Sequence, residues 1–229
     1  MVRFYPDEKC NGSAPVLAPG FLAVYANSGG STACYHIRED LVTRQGSLNL
    51  LSVITGTSHR HPLTTDPMFA LALDLLMKWL EDGFLVELGN RGHATTVAEE
   101  AGHLVDNVTW PTSVIELCVL CERLECPLIF NDAIDHFALL HTSQDISEES
   151  IKKIYDLTSP QSSLRRLVTD IIASKTEQGA HVRFISMASI IPEFLADMWL
   201  RLPLRGSSLY DENHVMIHDA LTGYHMGTV

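Results

Sequence analysis

The stretch ELCVLCERLECPLIFNDAID, residues 116–135, holds three of the chain's five cysteines: Cys118, Cys121 and Cys126. A C-x2-C pair followed after four residues by a third cysteine resembles a metal or redox signature. Its apolar neighbours follow a different rule. Val114, Leu117, Cys118, Cys121 and Leu124 recur at steps of three and four, which sets them on one face of a helix. Pro111 suits the opening of that helix, and Pro127 stops its continuation. A second helix is expected over LIFNDAIDHFALLH (128–141), making 112–141 a helical hairpin.

The cysteines can be tested against known ligand sets. A zinc knuckle spaces its ligands C-x2-C-x4-H-x4-C. Here Cys126 stands where the histidine belongs and Asn131 where the last cysteine belongs. Structural zinc takes four thiolate or imidazole ligands, so a fourth would have to come from His136 or His141. The plant-type iron–sulfur spacing runs in the opposite order. A reactive dithiol sits at a helix N-terminus, where the dipole lowers a thiol pKa, whereas Cys118 and Cys121 fall well inside the helix. Buried, structural cysteines are therefore expected, behaving as small hydrophobes.

Working outward, FLAVYA (21–26) and ACYHI (33–37) read as strands joined by the turn residues NSGGST (27–32). Residues 1–20, with Pro6, Gly12, Pro15, Pro19 and Gly20, read as an arm. Short helices are expected over 38–45 and 48–54. The next helix has Asp66 as its cap and Pro67 at its first turn, and Phe69, Leu73, Leu76 and Leu80 lie at helical spacing with Gly83 as the stop. Further helices are expected over 95–108, over 148–157 with Ser147 as cap, over 162–175 and over 188–202. Residues 204–229 read as a flexible tail. Strands early and helices after them predict an α+β fold dominated by helix.

The chain has 229 residues, 46% hydrophobic and 19% charged, with a formal net charge of -12. That is enough chain for a proper core, and its acidity disfavours nucleic-acid binding. No signal-peptide pattern opens the sequence, and the greasiest window, FALALDLLMKWL (69–80), is too short to span a bilayer. An odd cysteine count without a secretion signal points to a reducing, intracellular compartment. Nucleophile and phosphate-loop motifs are missing: there is no G-x-S-x-G, H-E-x-x-H, G-x-x-x-x-G-K or G-x-G-x-x-G. Glu100 and His103 have the spacing of half a di-iron carboxylate site, without the second half. The histidine-rich loop His59-Arg60-His61 could hold a metal only adventitiously, and Asp132 and Asp135 read as a solvated helix face. No cofactor is expected.

Three blocks together resemble fungal BTB/POZ-domain proteins. DPMFALALDLLMKWLEDGFL (66–85) is similar to the family's Asp-Pro…Phe…Trp-Leu-Tyr-x-Gly-x-Leu helix, with Asp66, Pro67, Phe69, Trp79, Leu80, Gly83 and Leu85 in place and Glu81 where tyrosine is usual. VIELCVLCERLECPLIFNDAIDHF (114–137) resembles the helical hairpin that ends the domain, including Pro127, Asn131, Asp132 and Asp135. EESIKKIYDLTSPQSSLRRLVTDIIA (148–173) is similar to the segment that follows the domain in fungal members. In the first half, YHIREDLV (35–42) matches the strand-to-helix pattern, with Arg38 and Gly46 at places where His and Ser are usual.

The resemblance implies a small β-sheet flanked by helices over 21–141, followed by a helical extension over 142–203. It implies a non-enzymatic module that binds proteins, often copies of itself, as adaptor or scaffold. Members that recruit cullin-type ubiquitin ligases carry a hydrophobic-x-Glu motif near the third helix. Here that place reads TTDPMFAL (64–71), without the glutamate, which counts against cullin recruitment. Two rival readings stand beside this one: a metal or redox protein using Cys118, Cys121 and Cys126, and an enzyme with a site among Glu100, His103, Asp132 and His136.

Overall fold

The computed structural model describes residues 3–5, 18–28, 31–44, 48–56, 70–83, 85, 110–143, 145–175, 191–201 and 221–227. Its class is α+β, mostly helical, with one small antiparallel sheet. Strands β1 (Arg3–Tyr5), β2 (Phe21–Ser28) and β3 (Ser31–Arg38) lie in the order β1-β3-β2. The expected hairpin forms with longer arms, since pairing continues to Asn27–Thr32 and Ser28–Ser31. The central strand shows no in-out alternation: Cys34, Tyr35, His36 and Ile37 are all buried. Successive residues of a strand face opposite sides, so β3 is covered on both faces.

The arm expected over residues 1–20 is corrected at its start. Arg3, Phe4 and Tyr5 pair with His36, Tyr35 and Cys34. A three-residue strand is too short to show a period, but it satisfies the edge that β3 would otherwise leave open.

The chain divides into two compact units, residues 1–132 with 227–229, and residues 133–226. The division falls inside a helix, ahead of the expected domain end at 141. In the first unit, α1 (Glu39–Arg44) and α2 (Leu48–Gly56) pack against the sheet and each other, burying Val42, Leu50 and Ile54. Helix α3 (Ala70–Asp82) buries Leu73, Leu76, Met77 and Leu80 and packs on α4 (Trp110–Leu124). Gly83 ends α3 as expected. It takes φ +83, where a side chain is disfavoured, and its N–H donates to the Trp79 carbonyl at 2.7 Å.

Helix α4 is buried beyond the single face its spacing suggested. Every residue from Ser113 to Cys121 is buried, the pattern of a helix enclosed on all sides. Two residues link it to α5 (Pro127–Ser143), the helix that carries the unit boundary.

The second unit contains the rest of α5, then α6 (Glu148–Leu157), α7 (Ser163–Lys175), α8 (Pro192–Arg201) and a 3-10 turn (Thr222–Tyr224). Ser147 caps α6 as expected, its hydroxyl accepting the Ser150 N–H at 3.1 Å. Ile151, Ile154, Leu164, Leu167, Val168, Ile171, Phe194 and Met198 form its core. The helix expected over 188–202 is described from Pro192, and the one expected over 95–108 lies outside the described residues. No described helix is long and apolar enough to cross a membrane.

Candidate functional site

The three cysteines owe their spacing to a helix end. Glu125 adopts φ 52 after α4. The Cys126 N–H donates to the Cys121 carbonyl at 2.9 Å and the Glu125 N–H to the Glu122 carbonyl at 3.4 Å. This pair of bonds is a Schellman motif, in which the residue after the left-handed one packs on the residue five places before it. Cys121 and Cys126 hold those two positions, and Cys118 lies one turn earlier. All three are buried. Burial pushes the Cys118 and Cys121 thiols well above their ordinary range; Glu122 adds at Cys118, and Cys126 and Cys118 add at Cys121. A thiol held protonated is a poor nucleophile and a poor ligand. Among the described residues, no group of three or more His, Cys, Asp or Glu side chains is arranged to hold a metal ion.

Asp132 and Asp135 were expected on a solvated face, and both are instead engaged by distant chain. One carboxylate oxygen of Asp132 accepts two bonds, from the Trp79 indole N–H at 2.7 Å and from the Leu85 backbone N–H at 2.9 Å. Trp79 and Leu85 are both buried, so neither donor has easy access to water. This knot joins residues of the 66–85 block to a residue of the 114–137 block. It gives Trp79, Gly83, Leu85 and Asp132 a common purpose: the glycine turns the chain so that Leu85 N–H meets the carboxylate that already holds Trp79. Tyr35 makes a comparable link from β3, donating to Asp74 of α3 at 2.5 Å. Burial, reinforced by Asp74, raises the Tyr35 phenol far above its usual range.

In the second unit, Arg165 is almost fully buried at 6% exposure. Its guanidinium donates to the carbonyls of Tyr155 and Thr158, both at 2.6 Å, and to the Thr158 hydroxyl at 2.9 Å. It also lies 4.4 Å from the centre of the Tyr155 ring. A cation at the C-terminus of α6 complements both the orphan carbonyls and the helix dipole. The Tyr155 hydroxyl donates to Asp197 of α8 at 2.7 Å, and its ring meets Phe194 edge-on at 5.7 Å. Tyr155, Thr158 and Arg165, all within the 148–173 block, thus form one network.

The tail expected to be flexible is corrected over residues 221–226. Leu221 is buried at 4% exposure. The Tyr224 hydroxyl donates to Asp170 of α7 at 2.6 Å, and the His225 Nε2 donates to Asp135 of α5 at 2.8 Å. Arg166 of α7 donates to the Gly223 carbonyl at 3.2 Å and lies 5.8 Å from the Tyr224 ring centre. One short 3-10 turn carries no periodicity by which the sequence could announce it.

The other expected site residues are dispersed. Asn131 and His136 are half-buried on α5, and His141 is buried against Phe137 with ring centres 4.6 Å apart. Asp66, Pro67, Phe69, Glu100, His103 and the loop around His59 and His61 lie outside the described residues. An open groove of about 750 Å³ is lined by Phe21, Arg38, Glu39, Asp40 and Arg44 among others, with Arg38 held in an ion pair by Asp40. At the end of α8, Trp199 and Leu200 are exposed by 66% and 70%. Comparison of the chain with protein-family models, curated proteins and solved structures finds no significant match.

Proposed function

We propose that the chain is a non-enzymatic protein-interaction module of the BTB/POZ type, acting inside the cell and associating with copies of itself. In this reading residues 21–141 are the BTB/POZ domain and 142–203 its helical extension. The observation that carries it is the Asp132 knot. The Trp79 indole and the Leu85 amide converge on a single carboxylate oxygen, so two motif blocks recognised separately are joined in space. The Tyr155–Arg165–Thr158 network gives the third block a common structural role in the same way. Trp79, Leu85, Asp132, Tyr155, Thr158 and Arg165 thereby serve architecture, which suits a module whose business is shape and surface rather than bond-making.

Light scattering over a concentration series tests the self-association. A dimer or larger species is expected in the micromolar range, and a strict monomer at high concentration would overturn it. Elemental analysis of the purified protein tests the metal reading, and stoichiometric zinc or iron would displace the module in its favour.

A further inference from the structure

We propose that residues 221–226 are an exchangeable docking segment, and that the seat they occupy on α5 and α7 accepts the same segment from a second copy of this chain. The inference rests on the self-association proposed above, because a second copy held nearby is what makes exchange effective.

The seat has the chemistry of a short-peptide site. Two carboxylates, Asp135 and Asp170, and the guanidinium of Arg166 each take a different element of the incoming segment. Asp170 receives the Tyr224 hydroxyl, Asp135 the His225 imidazole, and Arg166 meets both the Gly223 carbonyl and the Tyr224 ring. Leu221 is the single buried apolar anchor among the described residues of the segment. The segment itself is preorganised, its turn closed by the His225 N–H donating to the Thr222 carbonyl at 3.3 Å. These contacts are specific, yet the Asp135 and His225 side chains keep 29% and 22% of their surface exposed. A seat with one apolar anchor and partly wet polar contacts is weak as a free peptide site. It stays filled because a covalently attached segment has an effective concentration on the order of millimolar.

The same arithmetic permits exchange once two copies are held together. Residues 202–220, between α8 and the segment, could span on the order of 60 Å if extended. Exchange of an identical element between copies preserves every contact and adds none that must be invented. The recognition element of the second copy is therefore read from the chain: an apolar residue followed after two positions by a Tyr-His pair.

The test uses the full chain with Leu221→Ala, Tyr224→Ala and His225→Ala, which vacates the seat by removing the anchor and both side-chain contacts, and a fluorescein-labelled peptide of residues 219–227. Fluorescence anisotropy is expected to show the peptide binding the vacated chain at least tenfold more tightly than the unaltered chain. Adding Asp135→Asn and Asp170→Asn should weaken that binding at least tenfold. A peptide carrying Tyr224→Phe should also bind more weakly, and this comparison leaves the protein untouched. No binding to the vacated chain at millimolar peptide, or binding indifferent to the aspartates and to Tyr224→Phe, would overturn the proposal. Light scattering on the same preparations separates the two ideas. A chain that dimerises but binds no peptide refutes exchange and leaves self-association standing. A chain that binds peptide while strictly monomeric refutes the second copy as occupant.

Discussion

Replacing Asp132 with alanine removes one acceptor and strands two donors. The Trp79 indole N–H and the Leu85 amide both lose their partner, and both belong to residues less than a tenth exposed. Hydrogen bonds to a charged acceptor contribute roughly 1.5–3 kcal/mol each, so even the lower figure for two bonds predicts a loss of about 3 kcal/mol. Asp132→Asn keeps an oxygen that can accept from the same direction but gives up the charge, and should cost about 1 kcal/mol. Urea unfolding followed by far-UV circular dichroism reads both. The alanine variant should shift its midpoint by about 1 M or more with little change in slope. A double-mutant cycle with Trp79→Phe isolates the pair, and a coupling of about 1 kcal/mol or more is expected. If Asp132→Ala costs less than about 0.5 kcal/mol, or the cycle shows no coupling, the carboxylate is not the joint between the two motif blocks.

Three further outcomes follow from the same geometry. Because burial raises the Cys118 and Cys121 thiols above their ordinary value of 9.0, the folded chain keeps protons there that the unfolded chain sheds. The stability each contributes is complete below pH 9 and falls above it by up to about 1.4 kcal/mol per pH unit. Urea midpoints between pH 8 and 10.5 should therefore drop steeply, and a Cys118→Ala, Cys121→Ala chain, itself less stable by about 1–2 kcal/mol per site, should drop less steeply; equal slopes would refute the assignment. Arg165→Ala should cost about 2–4 kcal/mol by uncovering buried carbonyls, and Arg165→Lys should not restore the loss because an ammonium cannot span the same acceptors. Glu125→Gly should gain about 0.5–1 kcal/mol by releasing the left-handed backbone from its Cβ, and thermal unfolding would show a raised midpoint.

What the sequence made legible was local. Ser147 caps α6, Gly83 ends α3 and Pro127 follows the end of α4 where their chemistry predicts, because capping and turn rules act within a few residues. The cysteine period predicted a helix correctly, but spacing alone could not show that α4 is enclosed on all sides from Ser113 to Cys121. It also could not show that Cys126 marks a Schellman turn, which becomes visible only once Glu125 is found at φ 52. The partners of Asp132 and Asp135 escape a sequence reading for a more basic reason. Periodicity reports which face a residue occupies, not what reaches it, and their partners arrive from 53 residues upstream and 90 downstream. Strand β1 and the 3-10 turn at 222–224 span three residues each, too few to carry any pattern.

The buried guanidinium of Arg165 has a bearing on the conditions under which the second unit holds together. In a chain of net charge -12, most long-range electrostatics are repulsive among carboxylates and shift with salt and acidity. Arg165 stands apart from that: its hydrogen-bond acceptors are carbonyls and a hydroxyl, groups that do not titrate. Guanidinium stays charged across the range proteins meet, and buried contacts are little screened by ions. The joint between α6 and α7 should thus survive both high ionic strength and mild acid, conditions that rearrange the carboxylate-rich surface around it.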